Sequence, residues 1–117
     1  MKIRDIQQLL NAELLCDSGD LDGEVYSAFG CDLMSDVLAY VKDQSVLLTG
    51  LINPQVIRTA IMMDMTCVVF VRSKVPSTEV LELAKESNIV VMRTDKTLYT
   101  SCGILYSNGL TGKGKVE

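Results

Sequence analysis

The chain contains no histidine and no tryptophan. The first absence removes imidazole acid–base catalysis, His-activated nucleophiles and most zinc sites. The second, with aromatics at only 5%, leaves a core to be built from Leu, Val, Ile and the six Met. No apolar run approaches the ~18 residues that a spanning helix needs. The opening MKIRDIQQLL carries charges inside its apolar pattern and lacks a small-residue cleavage site, so it reads as an amphipathic helix and not as a signal peptide. None of the four cysteines, Cys16, Cys31, Cys67 and Cys102, forms a CxxC pair. Scattered among apolar segments, they read as reduced, mostly buried thiols of a cytoplasmic protein.

What is present suits one domain. The 117 residues are 48% hydrophobic and 22% charged, enough to bury a core and too weakly charged for a disordered chain. The net charge of −4 repels phosphate backbones and anionic lipid, which argues against nucleic-acid and membrane-surface roles.

Ile3, Ile6, Leu9 and Leu10 recur at helical spacing over residues 2–10. The segments AELLC (12–16) and EVYSAFG (24–30) read as strands on either side of DSGDLDG, a hairpin or a neighbouring pair. A helix follows over 32–41, capped by Asp32 or Ser35, with Leu33, Met34, Val37, Leu38 and Val41 as its apolar face. QSVLLT (44–49) is a continuous apolar run of the kind buried on both faces of a parallel sheet. Gly50 then turns the chain, Asn53 caps the next helix and Pro54 stands at its first position. Ile57, Ile61 and Met62 are the expected buried face of that helix, flanked by Val56 and Ala60. TCVVFV (66–71) and IVVM (89–92) are further strands, separated by a helix from Pro76–Ser77 to Ser87 with Val80, Leu81 and Ala84 inward. Thr94 or Asp95 caps a last helix containing Leu98, Cys102, Leu105 and Tyr106. The strand–helix alternation from residue 42 onward predicts an α/β domain: a mainly parallel sheet of about five strands with helices packed on it. The domain runs over 1–106, and residues 107–117, rich in Gly and Lys, form a flexible C-terminal tail.

Two motifs lead nowhere. Gly109 to Lys115 spells G-x-x-x-x-G-K, but Val116 stands where Ser or Thr should bind magnesium, no strand precedes it directly, and no helix follows. Asp17, Asp20, Asp22 and Glu24 cluster, yet Ser18 and Phe29 fall where an EF-hand needs its first Asp and last Glu, leaving a solvated acidic turn. No metal site, cofactor site or catalytic residue is assigned.

The loops after the parallel strands are the candidate ligand edge, because open α/β sheets bind ligands beyond the carboxyl ends of their strands. They offer Thr49, Gly50 and Asn53 after one strand, Arg72, Ser73 and Lys74 after the next, and Arg93, Thr94, Asp95 and Lys96 after the last. Convergence of Arg72, Lys74, Arg93 and Lys96 would give an acidic protein a basic patch fit for a small anion or nucleotide. The same residues also occur as caps and surface charge in loops that bind nothing.

Met34-Ser35, LLTG at 47–50, VFVRSKVPSTEVLELAKESNI at 69–89 and Thr94-Asp95-Lys96-Thr97 together resemble the DRTGG domain, closely over residues 31–102. The resemblance implies an α/β module that accompanies other functions. Similar domains precede phosphotransacetylase catalytic domains, and sit between CBS-domain pairs in regulated inorganic pyrophosphatases, where they help build the dimer. The amino-terminal domain of HPr kinase/phosphorylase is similar, and stand-alone forms resemble products encoded near iron-hydrogenase subunits. The name-giving residues differ here. Leu51-Ile52-Asn53 follows Gly50 in place of Asp-Arg, and Val71-Arg72-Ser73 replaces Thr-Gly-Gly. The resulting expectation is a non-catalytic regulatory or interaction domain, homodimeric, binding a partner protein or a nucleotide-like effector. The alternative is an accessory subunit of an anaerobic, hydrogenase-type redox assembly. An enzyme would need convergent carboxylates or a buried Lys in a deep pocket.

Overall fold

The computed structural model describes residues 1–41 and 44–112. In chain order the elements are α1 (Ile3–Leu10), β1 (Glu13–Cys16), β2 (Ser27–Gly30), α2 (Met34–Tyr40), β3 (Ser45–Thr49), α3 (Pro54–Met62), β4 (Cys67–Phe70), α4 (Thr78–Glu86), β5 (Val90–Arg93) and α5 (Leu98–Ser107). The five strands form one sheet in the order β1-β5-β4-β3-β2. β2, β3, β4 and β5 are mutually parallel, and β1 joins β5 antiparallel.

The parallel strands advance in one direction across the sheet. Right-handed crossovers therefore put α2, α3 and α4 on the same face. Met34, Val37, Val56, Ile57, Ala60, Val80 and Ala84 of these helices pack there against Leu47, Val68, Phe70 and Val91. The opposite face carries Val46, Leu48, Val69, Val90 and Met92 under Ile3, Ile6 and Leu10 of α1 and Leu105 of α5. Both faces being covered, every residue of β3 and β4 is buried, as the apolar runs in those segments require.

The helix starts obey local chemistry. Asn53 accepts from the Gln55 N–H with Pro54 just behind it, and Ser77 accepts from Val80. Three expectations need correction. The segments around DSGDLDG are neither hairpin nor neighbours, for β1 and β2 lie at opposite edges of the sheet. The intervening chain pairs instead with the amino terminus: Ile3 and Arg4 N–H groups donate to Gly23 and Leu21, and Val25 N–H to Met1. This leaves β1 free to pair with β5. α2 begins at Met34 behind Leu33, which offers no side-chain cap, and Asp32 is engaged elsewhere. α5 is capped by Thr97, not by Thr94 or Asp95.

The apolar face of α3 is also rotated from expectation. Val56, Ile57 and Ala60 are buried, whereas Ile61 and Met62 face outward at 41% and 71% exposure. Leu33, Leu38 and Tyr40 around α2 and Tyr106 on α5 are exposed as well. Part of the segment read as a tail is packed. Gly109, at φ 100°, ends α5, Leu110 is buried beneath the sheet, and the Thr111 carbonyl accepts the Ala28 N–H. In the P-loop-like run, that first glycine therefore works as a helix terminator; the run's Lys113, Gly114 and Lys115 lie outside the described residues. No described helix is long and apolar enough to cross a membrane.

Candidate functional site

The loops after β2, β3, β4 and β5 all emerge at one edge, as parallel strands dictate. α2, α3 and α4 leave toward one face, while α5 leaves toward the other. A crevice is therefore expected between the loops after β4 and β5, where adjacent chains part. It is bridged instead. Arg72 N–H donates to the Lys96 carbonyl at 2.8 Å, Ser73 N–H to the Thr94 carbonyl at 3.0 Å, and the Ser73 hydroxyl to Asp95 at 2.6 Å.

Arg72 and Ser73 both sit at φ 59°, the left-handed region that costs a non-glycine residue about 1 kcal/mol or more. Consecutive residues of this kind often aim backbone N–H groups at an anion. Here Val71, Arg72, Ser73 and Lys74 N–H groups all donate to carbonyls, Val71 to Thr49 and Lys74 to Val71. The start of α3 is similarly committed, with Gln55 and Val56 N–H groups both bonded to Asn53. Any anion at this edge would meet side chains first.

One side chain organises the other half of the edge. Oδ1 of Asp32, two residues beyond β2, accepts from Thr49 Oγ1 at 2.9 Å and from Gly50 N–H at 2.8 Å. Its Oδ2 lies 3.8 Å from the Arg72 guanidinium. Thr49 is fully buried, and its hydroxyl also accepts the Leu51 N–H at 3.1 Å. The Arg72 guanidinium lies across Gly50 so closely that a Cβ there would collide with it; glycine makes the approach possible. The Gly50 N–H holds the Asp32 carboxyl below the ordinary carboxylate range, helped by the Thr49 hydroxyl, Arg72 and Lys74 against the opposing pull of burial.

The expected ligand residues therefore divide. Thr49, Gly50 and Arg72 converge on Asp32; Lys74 stands exposed beside them. Ser73 and Asp95 are bonded to each other, and Asn53 is a helix cap. Arg93 turns to the sheet edge, where Glu13 pairs with it at 2.6 Å. Thr94 is buried and donates to the Leu10 carbonyl at 2.8 Å, tying β5 to the end of α1. Asp32 itself was legible only as a helix cap, because no sequence signal placed β2 beside β3.

The other titratable clusters are structural. Asp22 pairs with Arg4 at 3.0 Å, and the Asp20 carboxylate accepts the Asp22 N–H. Cys67 is sealed in the core, which pushes its thiol up to about 12. All four cysteines are free.

A model of the DRTGG domain matches residues 5–107. The chain belongs to the DRTGG domain family. No curated protein matches it. Among solved structures, it is similar to the CBS and DRTGG domains of the regulatory region of Clostridium perfringens pyrophosphatase, complexed with its activator diadenosine tetraphosphate. The TM-score is 0.73 at 16% identity, covering 99% of this chain and 50% of that one. The chain thus spans half of that regulatory region, and the likeness is one of fold. In this DRTGG domain, Arg72 and Ser73 adopt the backbone region that glycine enters freely.

Proposed function

We propose that this DRTGG domain is a non-catalytic regulatory module that binds a small anionic effector, nucleotides among them, at the edge formed by the loops after β2, β3 and β4. It works in the cytoplasm, where its four free thiols stay reduced. The observation that carries the reading is Arg72. Its guanidinium is half exposed, lies across Gly50, and among the described residues has only a long 3.8 Å ion-pair contact, with Asp32. A charge-assisted pair closes to ~2.8 Å, so this cation retains capacity for another anion. Lys74 adds a second exposed charge to an otherwise acidic protein. The nucleotide activator of the pyrophosphatase regulatory region supports the same class of ligand.

A thermal-shift series with adenine and guanine nucleotides, acetyl phosphate and inorganic phosphate tests this. A ligand at a hundred times its dissociation constant adds ~2.7 kcal/mol, worth roughly 4–8 °C in a domain of this size. Arg72→Ala should remove the shift. No shift across the series would end the effector reading.

The domain also forms a homodimer in this proposal, or docks on another protein such as a redox subunit. Leu33, Leu38 and Tyr40 around α2 and Ile61 and Met62 on α3 support that, being apolar, exposed and on one side of the sheet. Sedimentation velocity showing only monomer at tens of micromolar would refute the dimer.

A further inference from the structure

The cradle at Thr49, Gly50 and Arg72 already holds an anion, and that anion belongs to the chain. We infer that Asp32 is an internal occupant of the effector site, and that a phosphate group binds there by displacing it. This rests on the anion-site reading above and adds its regulation.

Three donors of different kinds converge: the Thr49 hydroxyl, the Gly50 N–H and the Arg72 guanidinium. Asp32 satisfies the first two through a single oxygen at 2.9 and 2.8 Å. Its other oxygen stops 3.8 Å short of a nitrogen of the third. A planar carboxylate on a short arm fills the inner part of the cradle and leaves the guanidinium underused. A phosphate group carries three terminal acceptor oxygens in a tetrahedral spread. It can take the two inner donors with one oxygen and close on Arg72 with another.

The occupant is also open to solvent. Asp32 is 51% exposed, so its side chain can swing into water. The loop that carries it is held at its base by the Cys31 N–H on the Leu48 carbonyl. Beyond that, Leu33 is 58% exposed and gives α2 no side-chain cap. By contrast, the backbone of the cradle is well held. Thr49 ends a buried strand, and the backbone of Arg72 is held by its N–H on the Lys96 carbonyl. Donors mounted on two neighbouring strand ends and facing an exposed internal acceptor are the arrangement in which an outside anion competes on equal chemistry. Loss of Asp32 from the cradle would also release the link between the start of α2 and the end of β3, so the same event changes the loop next to the exposed apolar residues of α2.

Calorimetric titration of the full chain with inorganic phosphate and with ATP, at neutral pH and fixed ionic strength, tests this. Asp32→Ala removes the competitor. If the closed form holds nine-tenths of the molecules, affinity should rise about ten-fold. Asp32→Asn keeps an acceptor for Gly50 and Thr49 but loses the attraction to Arg72; it should move affinity the same way by less, and it serves if the alanine variant folds poorly. Adding Arg72→Ala to either should cancel the gain. A gain with both ligands means that the phosphate group suffices, and a gain with ATP alone means that the nucleotide must deliver it. Equal affinities for wild type, Asp32→Ala and Asp32→Asn, with binding still lost in Arg72→Ala, would overturn displacement and leave the site standing. No binding by any of them would overturn the site itself.

Discussion

Arg72 and Arg93 are worth setting side by side. Each lies at the carboxyl end of a buried parallel strand, each begins a short polar loop, and the strands are neighbours. Their fates differ because of what lies across from them. β1 pairs antiparallel with β5 in a register that puts Glu13 opposite Arg93, and the two side chains close to 2.6 Å. Arg72 stands one strand further in, beside a glycine and a carboxylate held mainly by other donors. The next residues repeat the contrast. Thr94 is buried and its hydroxyl joins β5 to α1, whereas Ser73 is exposed and its hydroxyl donates to Asp95 in the neighbouring loop. The loop after β5 is part of the frame; the loop after β4 is exposed, and the proposed site draws its cation from it. The lesson is that the partner strand, and not the strand-end position, decides whether a cation is available to a ligand.

The sharpest way to break this comparison is through the two threonines. Thr94→Val removes a buried hydroxyl and leaves the Leu10 carbonyl without that donor, a loss of roughly 1–3 kcal/mol. It should be read as a lower midpoint in urea unfolding, with anion binding unchanged. If Thr94→Val also weakened binding at saturating fold stability, the loop after β5 would belong to the site after all.

A smaller effect separates the arginines. Arg93→Ala should lower the unfolding midpoint only slightly, since its partner Glu13 is solvent-facing, and should leave anion affinity intact. Arg72→Ala should scarcely change the unfolding midpoint while removing the anion response. Reversed results for the pair would exchange their roles.

The smallest expected effect is in acid. Asp32 ionises below its ordinary value in the folded protein. Its charged form therefore adds stability above the unfolded-state pKa of ~4, and that contribution disappears as pH falls through the lower folded value. The difference in unfolding free energy between wild type and Asp32→Asn should be flat from pH 7 to 5 and shrink below 4. Because Asp32 is half exposed, solvent screening keeps the difference small. A difference that grew on acidification would contradict the depressed ionisation.

Much of this was legible in the chain. The apolar runs at 44–49 and 66–71 read as buried strands, and Asn53-Pro54 as a helix start, since both are matters of local sterics and hydrogen bonding; the structure places strands at 45–49 and 67–70 and a helix from Pro54. The alternation of those elements led to a parallel sheet with its loops on one edge, and Thr49, Gly50 and Arg72 were read from that edge. Misreadings came where long-range pairing overrides local pattern. AELLC and EVYSAFG looked like partners because seven turn-forming residues separate them, yet the amino terminus captured the intervening chain and sent them to opposite edges. The outward turn of Ile61 and Met62 likewise depends on which side of α3 meets the sheet, which composition does not state.

The sequence by itself determined the class of the domain, its element types and the edge at which polar loops gather, because periodicity, caps and turn residues act over a few positions. Only the tertiary structure decided which polar groups at that edge are free. Asp32, Thr49, Gly50 and Arg72 come from three different loops, and they meet because β2, β3 and β4 lie side by side in register. Hydrogen bonds and ion pairs act over ~3 Å, a distance that no spacing along the chain can specify.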